Sequence, residues 1–211
     1  MDELKLRELL ELVKAGKVGP DDALNSLRRL PFADLGHAKI DHHRNIRTGS
    51  PEAIYGPNKS PGQCVEIVRE LLENGSGPVL LTRATNDQIA AVIDAHADGV
   101  VVDATVIWRQ APPLDAKVIV AAAGTADLPV ADETCAVLKA HGVTPTVLTD
   151  IGVAGLHRLL AVLDDLLDAE VIITIAGMEG ALATAVGGLS SAPVIAVPTS
   201  VGYGAGLEGV T

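Results

Sequence analysis

From Lys117 onward the chain alternates between two kinds of segment, and this alternation limits the folds open to it more than any other feature. KVIVAAA (117–123), TPTVLTD (144–150), VIITIAG (171–177) and APVIAVPTS (192–200) are short apolar runs rich in Val, Ile and Ala. Between them lie LPVADETCAVLKAHG (128–142), GVAGLHRLLAVLDDLLDA (152–169) and MEGALATAVGGL (178–189), each with helical spacing of its apolar residues. A strand that returns parallel to its neighbour needs a long crossover, and the crossover is right-handed. Continuous apolar strands are buried on both faces, so the pattern predicts a doubly wound parallel α/β sheet. A composition that is only 2% aromatic but contains 21 glycines suits small-residue helices packed on such a sheet.

The first half is less regular. Residues 1–30 read as two helices, the first closed by Gly16 and Gly19-Pro20, the second capped by Asp21 or Asp22. Residues 31–62 are rich in Gly, Pro and polar side chains, too long for an idle connection, and are expected to be functional or interface-forming. CVEIVRELLENG (64–75) predicts a helix ending at Gly75, and PVLLTR (78–83) a strand. NDQIAAVIDAHADG (86–99) predicts a helix capped by Thr85 or Asn86, and VVVDATVIW (100–108) one further strand. QAPPLDA interrupts the pattern, which sets a smaller α/β domain over 1–114 and the parallel domain over 115–211.

Charge excludes some partners. Residues 1–114 hold 13 basic and 16 acidic side chains, whereas 115–211 hold 3 and 11, within an overall net charge of −11. An acidic second half argues against nucleic acid and against an anionic membrane. No apolar run reaches spanning length, and residues 1–20 are amphipathic rather than a signal peptide. Cys64 and Cys135, both within helical patterns, read as reduced, buried thiols of a cytoplasmic protein.

In an open parallel sheet, ligands bind beyond the carboxyl ends of the strands. Four such ends stand in the second half: AGTAD (123–127), TDIGVAG (149–155), IAGMEG (175–180) and PTSVGYGAG (198–206). Glycine lets backbone N–H groups approach a ligand, and a following helix N-terminus favours negative charge. No GxxxxGK[ST] motif is present and no GxGxxG stands in the right place, so no standard nucleotide fingerprint is met. Asp127, Asp150 and Glu179 are the candidate acids; helix capping is the commoner role for an acid placed as Asp127 and Glu179 are, Asp150 suits capping and chemistry equally, and two of them converging could serve proton transfer. Asp41-His42-His43-Arg44 suits structural hydrogen bonding better than zinc, because adjacent histidines do not share a helix face. Arg44 and Arg47 either reach an anionic ligand or are solvated.

LPFADLGHAKIDHHR, VVDATVIWR, AAAGTADLPVADET, LTDIGVAGLHRLL and ITIAGMEGALATAVGGLSSAPVIAVPTSVGYGAG, in that order over nearly the whole chain, resemble LarB. LarB belongs to the biosynthesis of the nickel-pincer cofactor of lactate racemase, and the second domain is also similar to PurE, the aminoimidazole ribonucleotide carboxylase. The resemblance implies carboxylation of the pyridinium ring of nicotinic acid adenine dinucleotide and hydrolysis of its pyrophosphate. The products would be pyridinium-3,5-biscarboxylic acid mononucleotide and AMP, with carbon dioxide or bicarbonate as carbon source. It further implies magnesium, no organic cofactor, and a homo-oligomer, an octamer in PurE-like assemblies.

Carried over by motif, Gly124, Thr125 and Ala126 would bind phosphate, and Asp127 and Glu179 would be the catalytic acids. Asp150, Gly152, Gly177, Met178, Thr199, Ser200 and Arg44 would contact substrate. The loop that bears the PurE catalytic histidine holds no histidine here, only Asp150. In LarB proteins a segment after the GYGAG loop carries a cysteine that adds to the ring, and this chain ends at Thr211 before it, so a shortened chain is expected. The rival readings are a PurE-like carboxylase or mutase acting on an aminoimidazole ribonucleotide, and a nucleotide-binding module without turnover.

Overall fold

A computed structural model describes residues 3–27 and 32–200. The chain divides into two compact units, Met1–Ala111 and Pro112–Thr211.

The first unit opens with α1 (Glu3–Lys14) and α2 (Pro20–Leu27). Pro20 begins α2, and Asp21 and Asp22 sit in its first turn, where they complement the helix dipole rather than cap it. The segment rich in Gly, Pro and polar residues contains the antiparallel pair β1 (Phe32–Asp34) and β2 (Lys39–Asp41), the short α3 (Arg44–Thr48) and β3 (Ala53–Tyr55). α4 (Pro61–Asn74) ends at Gly75 as expected, and β4 (Val79–Thr82) runs parallel to β3. α4 and α5 (Asn86–Ala95) each start with a capping box, Ser60 with Gln63 and Thr85 with Gln88.

The single strand expected over 100–108 is instead two antiparallel strands, β5 (Val100–Val102) and β6 (Thr105–Trp108). Asp103 takes a left-handed φ of 49° and reverses the chain between them. The sheet order is β3-β4-β6-β5, mixed in direction. Its core gathers Ile54, Val68, Leu81, Val92, Val106 and Trp108, with Cys64 fully buried among them.

The second unit is the predicted parallel sheet. β7 (Val118–Ala122), β8 (Thr146–Leu148), β9 (Val171–Ala176) and β10 (Val194–Pro198) lie in the order β10-β9-β7-β8, and every pair is parallel. Alternate residues of β7 serve opposite faces. Ile119 and Ala121 join the core that includes Leu159, Leu166, Leu182 and Val186, while Val120 and Ala122 join Ala131 and Cys135. The first face is covered by α7 (Leu156–Ala161), α8 (Leu163–Leu167) and α9 (Ala181–Leu189), the second by α6 (Leu128–Ala140). Burial of one such Val, Ile or Leu side chain is worth about 1.5–3 kcal/mol, so these two layers supply most of the driving force. The continuous helix expected over 152–169 is broken at Val162, whose φ of −110° separates α7 from α8.

The chain leaves β7 through α6 to β8 on one side, then returns past β7 to β9 on the other. The strand order therefore reverses between β7 and β9. A crevice opens at the carboxyl ends of strands at such a reversal.

Candidate active site

The loops after β7, β8 and β9 enclose an open cleft of about 430 Å³. Its walls include Gly124, Thr125, Ala126 and Asp127 from the first loop, Asp150 and Gly152 from the second, and Gly177, Met178 and Glu179 from the third. Nine of the residues singled out in the sequence thus meet in one place.

Backbone hydrogen bonds hold the loops together. Ala123 N–H donates to Ile175 O at 2.9 Å, and Gly152 N–H donates to Ala123 O at 2.8 Å. A Cβ on Gly152 would stand 2.8 Å from Ala123 O, so the second loop reaches the first only because position 152 has no side chain. Gly177 O accepts from Gly180 N–H at 3.1 Å, closing a turn in which Met178 takes a left-handed φ of 57°. Glu179 is left exposed on that turn, immediately before α9.

Asp127 is placed quite differently from Glu179. It is 4% exposed and both of its carboxylate oxygens are occupied. Oδ2 accepts from Gly124 N–H at 3.0 Å, and Oδ1 accepts from the Thr199 hydroxyl at 2.6 Å. Asp127 N–H in turn donates to Gly124 O, so the phosphate-like loop is clasped at both ends before α6 begins. Thr199, at the end of β10, is itself buried and stands behind the wall formed by Asp127. Ser200 is exposed one residue further on, and the GYGAG part of that loop lies outside the described residues.

Arg158 was not singled out as a site residue, yet it lines the cleft from α7 and donates a hydrogen bond through Nη1 to Asp150 Oδ2. No histidine or cysteine is among the described residues lining the cleft. Both thiols are buried in helices away from it, and burial pushes each above the ordinary cysteine range.

Arg44 is exposed on α3 in the first unit. The motif around it is structural. Asp41 Oδ2 accepts from Arg47 Nη2 at 2.7 Å, and Oδ1 accepts from His43 N–H at 3.1 Å. The hydrogen bond from Arg47 holds the Asp41 carboxyl below the usual aspartate range. His42 Nε2 lies 2.9 Å from Glu70 Oε1, a buried pair joining the end of β2 to α4. Among the described residues no cluster of three or more His, Cys, Asp or Glu side chains is arranged to hold a metal ion. Among them, too, no helix is long and apolar enough to cross a membrane.

A parallel α/β unit whose glycine-rich strand ends enclose an acidic cleft, joined to a mixed-sheet unit, defines a class also found by comparison. Residues 109–211 match the AIR carboxylase family, and residues 32–108 match the LarB/PurE-like N-terminal domain. An uncharacterized protein of Methanocaldococcus jannaschii is 32% identical over 214 residues, spanning 94% of this chain and 82% of the archaeal one. The chain belongs to the LarB family of PurE-like, carboxylase-type proteins.

Proposed function

We propose that this protein carboxylates the pyridinium ring of nicotinic acid adenine dinucleotide and hydrolyses its phosphoanhydride, giving pyridinium-3,5-biscarboxylic acid mononucleotide and AMP. The observation that carries the reading is the cleft itself: a clasped backbone loop on one wall faces a carboxylate on a separate turn, in a chain of the LarB family. The N–H groups of Thr125 and Ala126 stand ahead of α6, where backbone donors and the helix dipole favour phosphate oxygens, while that of Gly124 is held by Asp127. Asp127 fixes that loop and orients the ligand. Glu179, exposed and making no side-chain hydrogen bond among the described residues, is free to exchange a proton with the ring.

The chemistry needs a nucleophile to make the cationic ring electron-rich. Addition of a thiolate gives an enamine-like ring whose carbon attacks carbon dioxide. Glu179 then takes the proton from that carbon, and expulsion of the thiolate restores the aromatic pyridinium. Neither Cys64 nor Cys135 lines the cleft, so neither supplies that thiolate. The absence of a histidine among the described lining residues speaks for this reaction over a PurE-type proton shuttle on an aminoimidazole ribonucleotide.

Magnesium is expected to accompany the pyrophosphate. The carboxylates of the cleft do not form a resident metal cluster among the described residues, so such an ion would complete its coordination with substrate phosphates. We also propose a homo-oligomer, supported by exposed leucines on α7 and α8.

The test is incubation of the protein with nicotinic acid adenine dinucleotide, bicarbonate and magnesium. AMP and the biscarboxylate mononucleotide are expected together. A folded protein that releases no AMP under these conditions contradicts the reading.

A further inference from the structure

The cleft binds an anion in the reading above, yet its charge is wrong for one: Asp127, Asp150 and Glu179 all line it. The second unit has three basic side chains in total, Lys117, Lys139 and Arg158. Lys117 precedes β7 at the amino end of the sheet, where its ammonium pairs with Asp168 at 2.8 Å. Lys139 lies in the last turn of α6, also remote from the strand ends. Arg158 is therefore the one cation of this unit in the cleft.

Two backbone features place it there. Asp150, at the end of the loop after β8, has a left-handed φ of 57°, a conformation that Asp tolerates better than most residues but still at some cost in energy. It presents its carboxylate to the Arg158 guanidinium. Gly155 leaves the space across which that guanidinium lies, because a Cβ there would stand 2.4 Å from Arg158 Nε and 3.0 Å from Cζ. The pair is half in solvent, with side-chain exposures of 40% for Arg158 and 51% for Asp150.

We infer that Arg158 selects the anionic group of the ligand, and that Asp150 is its exchangeable counter-ion, holding the guanidinium in the empty cleft and yielding it to a phosphate oxygen. The inference rests on the proposed function for the identity of that anion, the pyrophosphate of a dinucleotide. The exchange is physically cheap. An exposed ion pair of this kind is worth only about 0.2–1 kcal/mol, whereas a guanidinium can bind phosphate through two parallel, charge-assisted hydrogen bonds. The released Asp150 remains in contact with water, so no buried charge is stranded. Without Arg158 the cleft side chains carry negative charge only, and an anionic ligand meets repulsion on entry.

The test is calorimetric titration of the protein with inorganic pyrophosphate, without magnesium, at low salt. Removing the competitor with Asp150→Asn is expected to tighten binding about 2- to 5-fold, the factor set by a weak exposed pair. Arg158→Ala is expected to weaken it about 10-fold or more, as loss of a charge-assisted contact does, with Arg158→Lys in between. In the double variant the gain from Asp150→Asn should vanish, since it acts through the guanidinium. Unaltered circular dichroism spectra establish that the variants are folded.

The inference is overturned if the wild type does not bind pyrophosphate, if Asp150→Asn fails to tighten binding, or if its gain persists without Arg158. The probe is independent of the dinucleotide reaction. The expected pyrophosphate pattern without turnover would leave the exchange standing and remove the proposed function; turnover without the pattern would do the reverse.

Discussion

At the scale of single residues, two carboxylates of the same cleft have opposite surroundings. Glu179 is exposed on a turn, whereas Asp127 is buried and accepts from both Gly124 N–H and the Thr199 hydroxyl. Sequence alone could place both at strand ends but could not separate these fates, because Thr199 is 72 residues from Asp127. Replacing Thr199 by Val keeps the shape and removes the donor, leaving a buried carboxylate oxygen without that partner. Such a loss costs about 1–3 kcal/mol, so a lower urea midpoint is expected for Thr199→Val, with Thr199→Ser close to wild type. Equal midpoints for all three proteins would mean the contact contributes nothing. Arg158 was missed for a related reason: it lies within a helix, and its reach into the cleft depends on the missing side chain at Gly155.

At the scale of elements, the central strands β7 and β9 were legible because burial on both faces leaves a nearly continuous apolar run, broken in VIITIA of β9 only by the buried Thr174, whereas the edge strands β8 and β10 are apolar yet largely exposed. The hairpin of β5 and β6 was not legible, since its reversal uses Asp103-Ala104 without a glycine signal, and VVVDATVIW reads as one strand. The break between α7 and α8 carries no Gly or Pro either. These two short helices leave Leu156, Leu160 and Leu167 between 47% and 55% exposed. Leu156 and Leu160, four apart on α7, share a face, and adjoining apolar exposure of this kind marks an interaction surface. If copies of this chain cover that face, Leu160→Glu should lower the mass measured by analytical ultracentrifugation while the spectrum of the fold is kept. An unchanged assembly, or a wild type that is already monomeric, would remove this role from α7.

At the scale of the whole molecule, function follows from topology. The reversal of strand order between β7 and β9 brings together loops that are far apart in the chain, and the glycines in those loops let backbone donors come close to a ligand. Acidic composition, which argues against nucleic acid as a partner, is compatible with a phosphate ligand when backbone amides and a single arginine meet it. The central claim is that this cleft performs the carboxylation, with Glu179 as the proton acceptor. Its most direct test compares the protein and its Glu179→Gln variant with nicotinic acid adenine dinucleotide, magnesium and ¹³C-bicarbonate, using mass spectrometry of the nucleotide product. The wild type should yield mononucleotide carrying one ¹³C carboxyl group, and Glu179→Gln should bind the dinucleotide yet yield labelled product at least about 100-fold more slowly, the scale of a lost general base. Labelled product formed by Glu179→Gln at the wild-type rate would contradict the account.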